Sequence, residues 1–182
     1  VGFYTRLATA FVDALGVGAM RWLGTSMGAM IGTAAAAGPL KGRISHLVLN
    51  DMGPKIGDAA LARIRAYAGS PAQFERVSEL ETYFRMIYKP FGLLTDAQWR
   101  RLAETSVRRT DGGRVTPHYD PKIVMMFDHE AELVQWDFWD ALECRALCLR
   151  RAESDQLLPE TAAEMERRGP RGYLGMLSID PA

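Results

Sequence analysis

The stretch that decides the fold reads Trp22-Leu23-Gly24-Thr25-Ser26-Met27-Gly28. A short apolar run over residues 19–23 leads into it, bounded by glycines at 18 and 24, and predicts a largely buried strand. Residues 27–37 are small and apolar and end at Gly38-Pro39, which predicts a helix followed by its stop. Ser26 is therefore expected on the turn between a strand and a helix.

A serine on such a turn can serve as a nucleophile. The turn pushes the hydroxyl above the sheet, and glycines two residues on either side, Gly24 and Gly28, relieve crowding between strand and helix. The backbone N–H of Met27 would then lie at the helix N-terminus, where free donors and the helix dipole stabilise an oxyanion. The alternative is a glycine turn that merely joins two elements. The predicted strand–helix boundary favours the catalytic interpretation.

Further strands flank this unit along the chain. Residues 46–50 predict a second buried strand closed by Asp51-Met52-Gly53-Pro54, residues 146–150 a third, and residues 173–177 a fourth. Helices are predicted over residues 4–15 and from Pro159 to Gly169. Strand, helix and strand in this order form a βαβ unit, which predicts an α/β fold with a parallel sheet and helices on both faces.

The chain changes character between residues 57 and 135. This stretch holds several helical patterns and no clear strand, and Ser70 with Pro71 is interpreted as a helix start. Thr95-Asp96-Ala97-Gln98 is a capping-box pattern that opens a helix toward Arg108. The sequence thus predicts an all-helical insertion, too long for an ordinary loop. The chain divides into residues 1–56, the insertion 57–135, and residues 136–182.

Composition narrows the classes of partner. The 182 residues carry 22 Lys plus Arg and 22 Asp plus Glu, so the net charge of zero gives no case for a nucleic acid or an anionic membrane. No run approaches the ~18 apolar residues of a membrane span. Cys144 and Cys148, about 13 Å apart in an extended chain, are too distant for a disulfide. They are interpreted as free thiols, which favours a reducing compartment such as the cytoplasm, and the absence of a histidine close to either argues against a metal site.

The motif and its surroundings resemble the α/β-hydrolase family of serine hydrolases with a helical cap. The resemblance rests on Trp22 to Gly28, on Leu47-Val48-Leu49-Asn50-Asp51, and on Leu149-Arg150-Arg151-Ala152-Glu153-Ser154-Asp155. It implies a partial α/β-hydrolase parallel sheet, with the insertion standing where the family places its lid. It covers nearly the whole chain but points to no single member of the family.

The resemblance also implies roles for individual residues. Ser26 would be the nucleophile, Asp155 the triad acid, and Met27 the donor of one oxyanion N–H. Asp155 could instead be an ordinary turn aspartate. Asp51 is the competing acid, because some relatives place the carboxylate there, although a structural role in the turn before Gly53-Pro54 is favoured.

The implied reaction is hydrolysis of a carboxylic ester, a lactone or a related acyl bond through an acyl-enzyme, with no metal or organic cofactor. A serine nucleophile argues against dehalogenase and epoxide-hydrolase relatives, which use an aspartate. Cofactor-free haloperoxidases and carbon–carbon hydrolases share the serine triad and remain open.

The triad histidine has no candidate at the family position, because no histidine follows Asp155 in the sequence. His46 begins a strand, His118 lies in a turn-rich part of the insertion, and His129 stands between two acidic residues, so none is assigned. We therefore expect a fragment that lacks N-terminal strands and the C-terminal histidine loop, with little esterase activity by itself. The alternative is a catalytically inactive hydrolase-like binding protein or a degraded remnant.

Large apolar side chains in the insertion and just after it bear on the substrate. Two runs carry them, residues 83–88 and 125–139. At helical spacing such residues usually form a core. A fraction of them could line a pocket for a small apolar acyl substrate.

Overall fold

A computed structural model of the chain describes residues 1–89, 92–128 and 133–179. The helices in these ranges are α1 (Gly2–Ala14), α2 (Met27–Ala37), α3 (Asp58–Ala68), α4 (Val77–Ile87), α5 (Asp96–Thr105), α6 (Trp136–Asp140) and α7 (Pro159–Arg168). The strands are β1 (Met20–Thr25), β2 (Ile44–Asn50), β3 (Val107–Arg109), β4 (Val115–Pro117), β5 (Arg145–Arg151) and β6 (Tyr173–Ile179). A 3₁₀ helix spans Pro121–Asp128.

The predicted parallel sheet is confirmed. Its four strands lie in the order β1-β2-β5-β6, and each neighbouring pair is parallel. The register sets Thr25 opposite Asn50, and Asn50 opposite Leu149. Because the strands are parallel and β5 runs only two residues beyond the level of Asn50, the turns that follow β1, β2 and β5 leave the sheet at the same carboxyl edge, where ligands of open α/β sheets bind.

The central strands β2 and β5 carry the core around this sheet. Leu47 and Leu49 on β2, and Ala146 and Cys148 on β5, are essentially inaccessible to solvent. Helix α2 packs against β1 and β2 with small side chains such as the buried Ala29, which lets helix and sheet approach closely. The helix over Met27–Ala37 begins and ends where the sequence predicted.

Strand β1 departs from its prediction in one respect. It was expected to be largely buried, but its burial alternates, and Leu23 is 69% exposed. Within the described residues β1 is an edge strand, so it has a neighbouring strand on one side only. It also continues to Thr25 and so reaches the turn directly.

Contacts divide the chain into two compact units. The described residues of the first are 1–62, 126–128 and 133–179, and those of the second are 63–89 and 92–125. The second unit has its own core, formed by Leu80, Phe84, Trp99, Ala103 and Val115. Tyr83, Ile87 and Tyr88 pack against that core, so most of the apolar run at residues 83–88 is structural.

The expectation of an all-helical insertion was wrong in one detail. Strands β3 and β4 form a short antiparallel pair, with Arg108 opposite Thr116. The sequence Asp111-Gly112-Gly113 makes the turn of this hairpin, and Gly113 has a positive φ of 79°. Helix α5 consequently ends at Thr105, before the expected Arg108.

Of the two helix starts predicted in the insertion, the structure confirms one and contradicts the other. The Thr95 capping box is confirmed, because the Thr95 hydroxyl accepts from the Gln98 N–H and the Gln98 side chain accepts from the Thr95 N–H. The start expected at Ser70 was wrong, since α4 begins at Val77. Instead, Phe74 exchanges two backbone hydrogen bonds of 2.8 Å with Val115, which keeps this segment extended.

Both cysteines are free thiols, as predicted, with Cys144 half-buried and Cys148 buried. Among the helices described, none combines the length and the apolar character needed to cross a membrane.

Candidate active site

Ser26 occupies the turn between β1 and α2, as the sequence predicted. Its backbone has φ 52° and ψ −122°, a combination that residues other than glycine rarely adopt. The Ser26 carbonyl accepts hydrogen bonds from the N–H groups of Ala29 (2.9 Å) and Met30 (3.2 Å), the first turn of α2. Helix bonding on one side and strand pairing on the other therefore hold the backbone in this strained form.

Gly24 permits the sharp turn. A Cβ built at Gly24 would lie 2.3 Å from the Gly28 carbonyl oxygen and 2.4 Å from the Ala29 nitrogen, both backbone atoms of α2. Any side chain at position 24 would push helix and strand apart. A Cβ at Gly28 would meet no heavy atom within 4 Å, so the equal role expected for the two glycines was wrong.

Trp22 fastens the strand to the helix. Its indole Nε1–H donates a 3.0 Å hydrogen bond to the Gly28 carbonyl. A Cβ at Gly32 would lie 2.4 Å from that same Nε1, so the glycine leaves the space that the indole fills. The side chain two residues before Gly24 thus fixes α2 over the end of β1.

We expect Trp22→Phe to lower the free energy of unfolding by about 1–2 kcal/mol, because it removes this hydrogen bond and part of the packing on Gly32. The adjacent Leu23 is a matched control, since its side chain is 69% exposed and on the other face of the strand. Leu23→Ala should change the free energy of unfolding by less than ~0.5 kcal/mol. Urea denaturation followed by circular dichroism measures both, and equal losses in the two variants would contradict the anchoring role.

The N-terminus of α2 supplies donors next to the hydroxyl. Met27 is the first residue of α2, and the hydrogen bonds of a helix leave its first N–H groups without an intrahelical acceptor. Negative charge beside these groups is stabilised by the helix dipole. Met27 therefore offers a backbone N–H where the sequence placed an oxyanion donor.

The end of β2 lies beside this turn. The Asn50 side-chain amide donates to the Thr25 hydroxyl oxygen (3.1 Å), which ties the ends of β1 and β2 together. Asp51 follows with a positive φ of 51°. Its N–H donates to the Leu149 carbonyl (2.8 Å), and its Oδ1 accepts from the Arg151 N–H (3.1 Å), so Asp51 joins β2 to β5 from both backbone and side chain.

The loop after β5 carries Asp155. The Ser154 hydroxyl accepts from the N–H groups of Gln156 (3.2 Å) and Leu157 (3.0 Å), which closes a tight turn around Asp155. Arg150 Nε donates to the Leu157 carbonyl (2.9 Å). The half-buried Asp155 thus stands in a firmly held loop that follows β5 at the carboxyl edge, two strands and so ~10 Å from the strand that leads to Ser26.

This loop also rests on the segment after β2. The Gly57 N–H donates to the Gln156 carbonyl (3.0 Å). A Cβ on Gly57 would lie 2.4 Å from the Asp155 carbonyl oxygen, so only glycine fits there without a shift. Sequence reasoning found Asp155 but missed Asp51 and Gly57 as partners of its loop, because these contacts join segments about 100 residues apart in sequence.

Cys148 is the other nucleophilic side chain in this part of the sheet. Burial, and next the nearby Asp51 charge, raise the pKa of the Cys148 thiol to about 12. A thiol that stays protonated at neutral pH is a poor nucleophile. In the described ranges no three His, Cys, Asp or Glu side chains lie close enough to hold a metal ion.

The two described histidines lie in different units, and His46, the one in the unit that contains the sheet, is not at the carboxyl edge. His46 pairs with Arg21 in the sheet, four residues before the end of β2, and its Nδ1 lies 3.1 Å from the Ser45 hydroxyl. His118 is exposed and belongs to the second unit. His129 lies outside the described residues.

Three comparisons place the chain among known proteins. It is 38% identical over 176 residues to the 3-hydroxybutyrate-oligomer hydrolase of Cupriavidus necator, covering 91% of this chain. An α/β hydrolase structure from Novosphingobium aromaticivorans superposes on 98% of the chain with a TM-score of 0.79 and 29% identity. The structure of E-2-(acetamidomethylene)succinate hydrolase superposes on 98% with a TM-score of 0.84, and its 20% identity shows a shared fold. No protein-family model matches the sequence.

The chain spans only part of these proteins. It covers 60% of the length of the Cupriavidus necator hydrolase, and 63% and 65% of the two structures.

Proposed function

We propose that this chain, which shares the fold of α/β-hydrolase structures, provides the nucleophile, one oxyanion donor and the acid of a serine hydrolase that cleaves carboxylic esters through an acyl-enzyme. The observation that carries the proposal is Ser26, held at φ 52° on a strand-to-helix turn whose tightness depends on Gly24. A structure that stores strain at one hydroxyl-bearing residue is typical of an active site.

The proposed acylation proceeds in the following steps. The Ser26 Oγ forms a bond to the ester carbonyl carbon while its proton passes to a base. The carbonyl oxygen becomes an oxyanion, which the Met27 N–H stabilises at the positive end of α2. Collapse of the tetrahedral intermediate breaks the bond to the alcohol, which leaves with the proton from the base, and water then releases the acid from Ser26 by the same steps.

The sequence offers a candidate for the triad acid but no histidine at the family position of the base. We assign Asp155 as the carboxylate that orients an imidazole base and stabilises its protonated form, because the Asp155 loop follows β5 at the carboxyl edge. The sequence carries no histidine after Asp155. We propose to supply the base from solution as imidazole, which carries the same ring as a histidine side chain.

The relative from Cupriavidus necator gives the substrate class to test. Its name specifies oligomers of 3-hydroxybutyrate, in which short hydroxy acids are joined by carboxylic ester bonds. We propose short aliphatic esters of this kind as substrates, with the second unit acting as the family's cap.

The test is acyl transfer from p-nitrophenyl butyrate to the full chain, with and without imidazole. We expect p-nitrophenol release to be slow without imidazole and faster with it, and a butyryl group to appear on Ser26. Tryptic digestion isolates residues 22–41, and fragment-ion mass spectrometry separates Ser26 from Thr25 within that peptide. Oligomers of 3-hydroxybutyrate should slow the labelling by competition.

Three results decide the proposal. Butyryl transfer to Ser26 that imidazole accelerates supports a serine hydrolase. Transfer only to other residues, or none at any imidazole concentration, contradicts it and favours a hydrolase-like binding protein. Labelling of Ser26 that 3-hydroxybutyrate oligomers do not slow keeps the mechanism and contradicts the substrate class.

A further inference from the structure

Asp51 lies at the carboxyl edge of the sheet, where it links the end of β2 to the end of β5. It is the first residue after β2, next to the strand that leads to Ser26, and its side chain reaches β5 two residues after Leu149, the position level with the end of β2. Its Oδ1 accepts the Arg151 N–H at 3.1 Å, across a separation of 100 residues. The Asp51 carboxylate therefore holds the last residue of β5.

The Asp51 backbone serves the same junction. Its N–H donates to the Leu149 carbonyl at 2.8 Å, which extends the β2–β5 pairing by one residue. A positive φ of 51° brings donor and side-chain acceptor onto the same neighbouring strand. Aspartate and asparagine tolerate this conformation better than other residues with side chains.

Arg151, whose N–H the Asp51 carboxylate accepts, is the last residue before the loop that carries Asp155. Arg151 is followed by a turn in which the Ser154 N–H donates to the Arg151 carbonyl (3.1 Å), and Asp155 comes next. The far end of the loop is held separately, by Arg150 on Leu157 and by Gly57 on Gln156. Asp51 holds the near end on the β2 side, and on the other side the Ala152 N–H donates to the Ile179 carbonyl of β6 (3.1 Å).

We infer that Asp51 is a positioning residue, which fixes the start of the loop that presents Asp155 and does not itself serve as the triad acid. This inference rests on the proposed function for the role of Asp155, while the holding of the loop stands on the contacts alone. The Asp51 Oδ1 already accepts a hydrogen bond from a backbone N–H of β5, which gives this side chain a structural role. It acts through an oxygen atom that an asparagine also has.

Two substitutions separate the acceptor from the charge. Asp51→Asn keeps an Oδ1 acceptor and the tolerance for positive φ but removes the charge. Asp51→Gly keeps the backbone freedom and removes the acceptor. Asp111→Ala, in the exposed turn of the β3–β4 hairpin, serves as the control for loss of an aspartate elsewhere.

The loop itself supplies a readout independent of catalysis. Trypsin cleaves after Arg151, at the start of the loop, and this bond is cut only when the end of β5 opens. We expect Asp51→Gly to speed this cleavage about fivefold, which corresponds to losing a hydrogen bond of ~1 kcal/mol. Asp51→Asn and Asp111→Ala should cleave at the rate of the parent chain.

Imidazole-dependent acylation of Ser26 is the second readout. It should fall in Asp51→Gly and in Asp155→Asn, and it should be preserved in Asp51→Asn. A loss in Asp51→Asn equal to that in Asp155→Asn would show that the Asp51 charge takes part in the chemistry and would overturn the inference. Unchanged trypsin cleavage in Asp51→Gly would overturn it as well. If the parent chain shows no acylation, the proposed function fails, yet the cleavage rates still decide whether Asp51 holds the loop.

Discussion

Gly24→Ala is expected to destabilise the chain by ~3 kcal/mol. The new Cβ would stand 2.3 Å from the Gly28 oxygen and 2.4 Å from the Gly28 carbon and the Ala29 nitrogen. These are backbone atoms of α2, and no side-chain rotation can move them away. Relief requires the helix to shift from the strand, which also breaks the fit of Trp22 beneath it.

Gly28→Ala is the matched control for this prediction. It lies four residues away at the start of α2, and its Cβ would meet nothing within 4 Å. Alanine is favoured over glycine in a helix by about 1 kcal/mol, so this variant should be as stable as the parent chain or slightly more stable. Urea denaturation of both variants under the same conditions gives the comparison. Similar midpoints for the two would show that the strand and helix are not in the close contact described.

Ser26→Ala should reduce imidazole-dependent acyl transfer at least ~10-fold, to the rate of imidazole alone, because it removes the hydroxyl that would accept the acyl group. The neighbouring hydroxyl provides the control. Thr25 is exposed and its Oγ1 accepts from Asn50, and Thr25→Ser keeps that hydroxyl. It should retain acylation. Activity that survives in Ser26→Ala would assign the nucleophile elsewhere.

Ser26→Gly should separate function from stability. It removes the hydroxyl and should be as inactive as Ser26→Ala. Strained backbone of this kind costs ~1–3 kcal/mol, whereas glycine adopts φ 52° without that cost and loses ~0.5–1 kcal/mol through chain entropy. A gain in stability on the order of 1 kcal/mol is expected, measurable as a higher urea midpoint. A less stable Ser26→Gly would mean that the turn is not strained.

Local signals in the sequence predicted much of the fold. Met27 to Ala37 is a run of small apolar residues with a terminal glycine, and Pro159 stands at a preferred first helical position, so both helices could be placed from their own residues. The strands at the sheet centre were apolar and short. Their parallel direction followed from the βαβ pattern.

Predictions failed where distant contacts override local preference. Phe74 pairs with Val115, so the segment after Ser70 extends when its own sequence favours a helix. The β3–β4 hairpin has strands of three residues each, too short for alternation to be recognised, although the Asp111-Gly112 turn was a usable signal. The alternating burial of β1 depends on how its two faces are covered, one of them by α2, which no local pattern encodes.

The same division applies to the candidate site. Ser26, Met27 and Gly24 lie within four residues, and the sequence placed all three. The bond between Asp51 and Arg151 joins residues 100 positions apart and depends on a positive φ at a residue other than glycine. Such a contact becomes visible only once β2 and β5 are known to be neighbours.

The strained turn at position 26 has a consequence for protein engineering. Where the side chain points is dictated by the main chain, through the approach permitted at Gly24 and the bonds to Ala29 and Met30. The main chain therefore sets where the side-chain atom lies, while the residue type sets which atom it is. A thiol or another reactive group introduced at position 26 would lie in the same place, beside the N-terminal amide groups of α2. New chemistry could therefore be introduced without redesigning the scaffold.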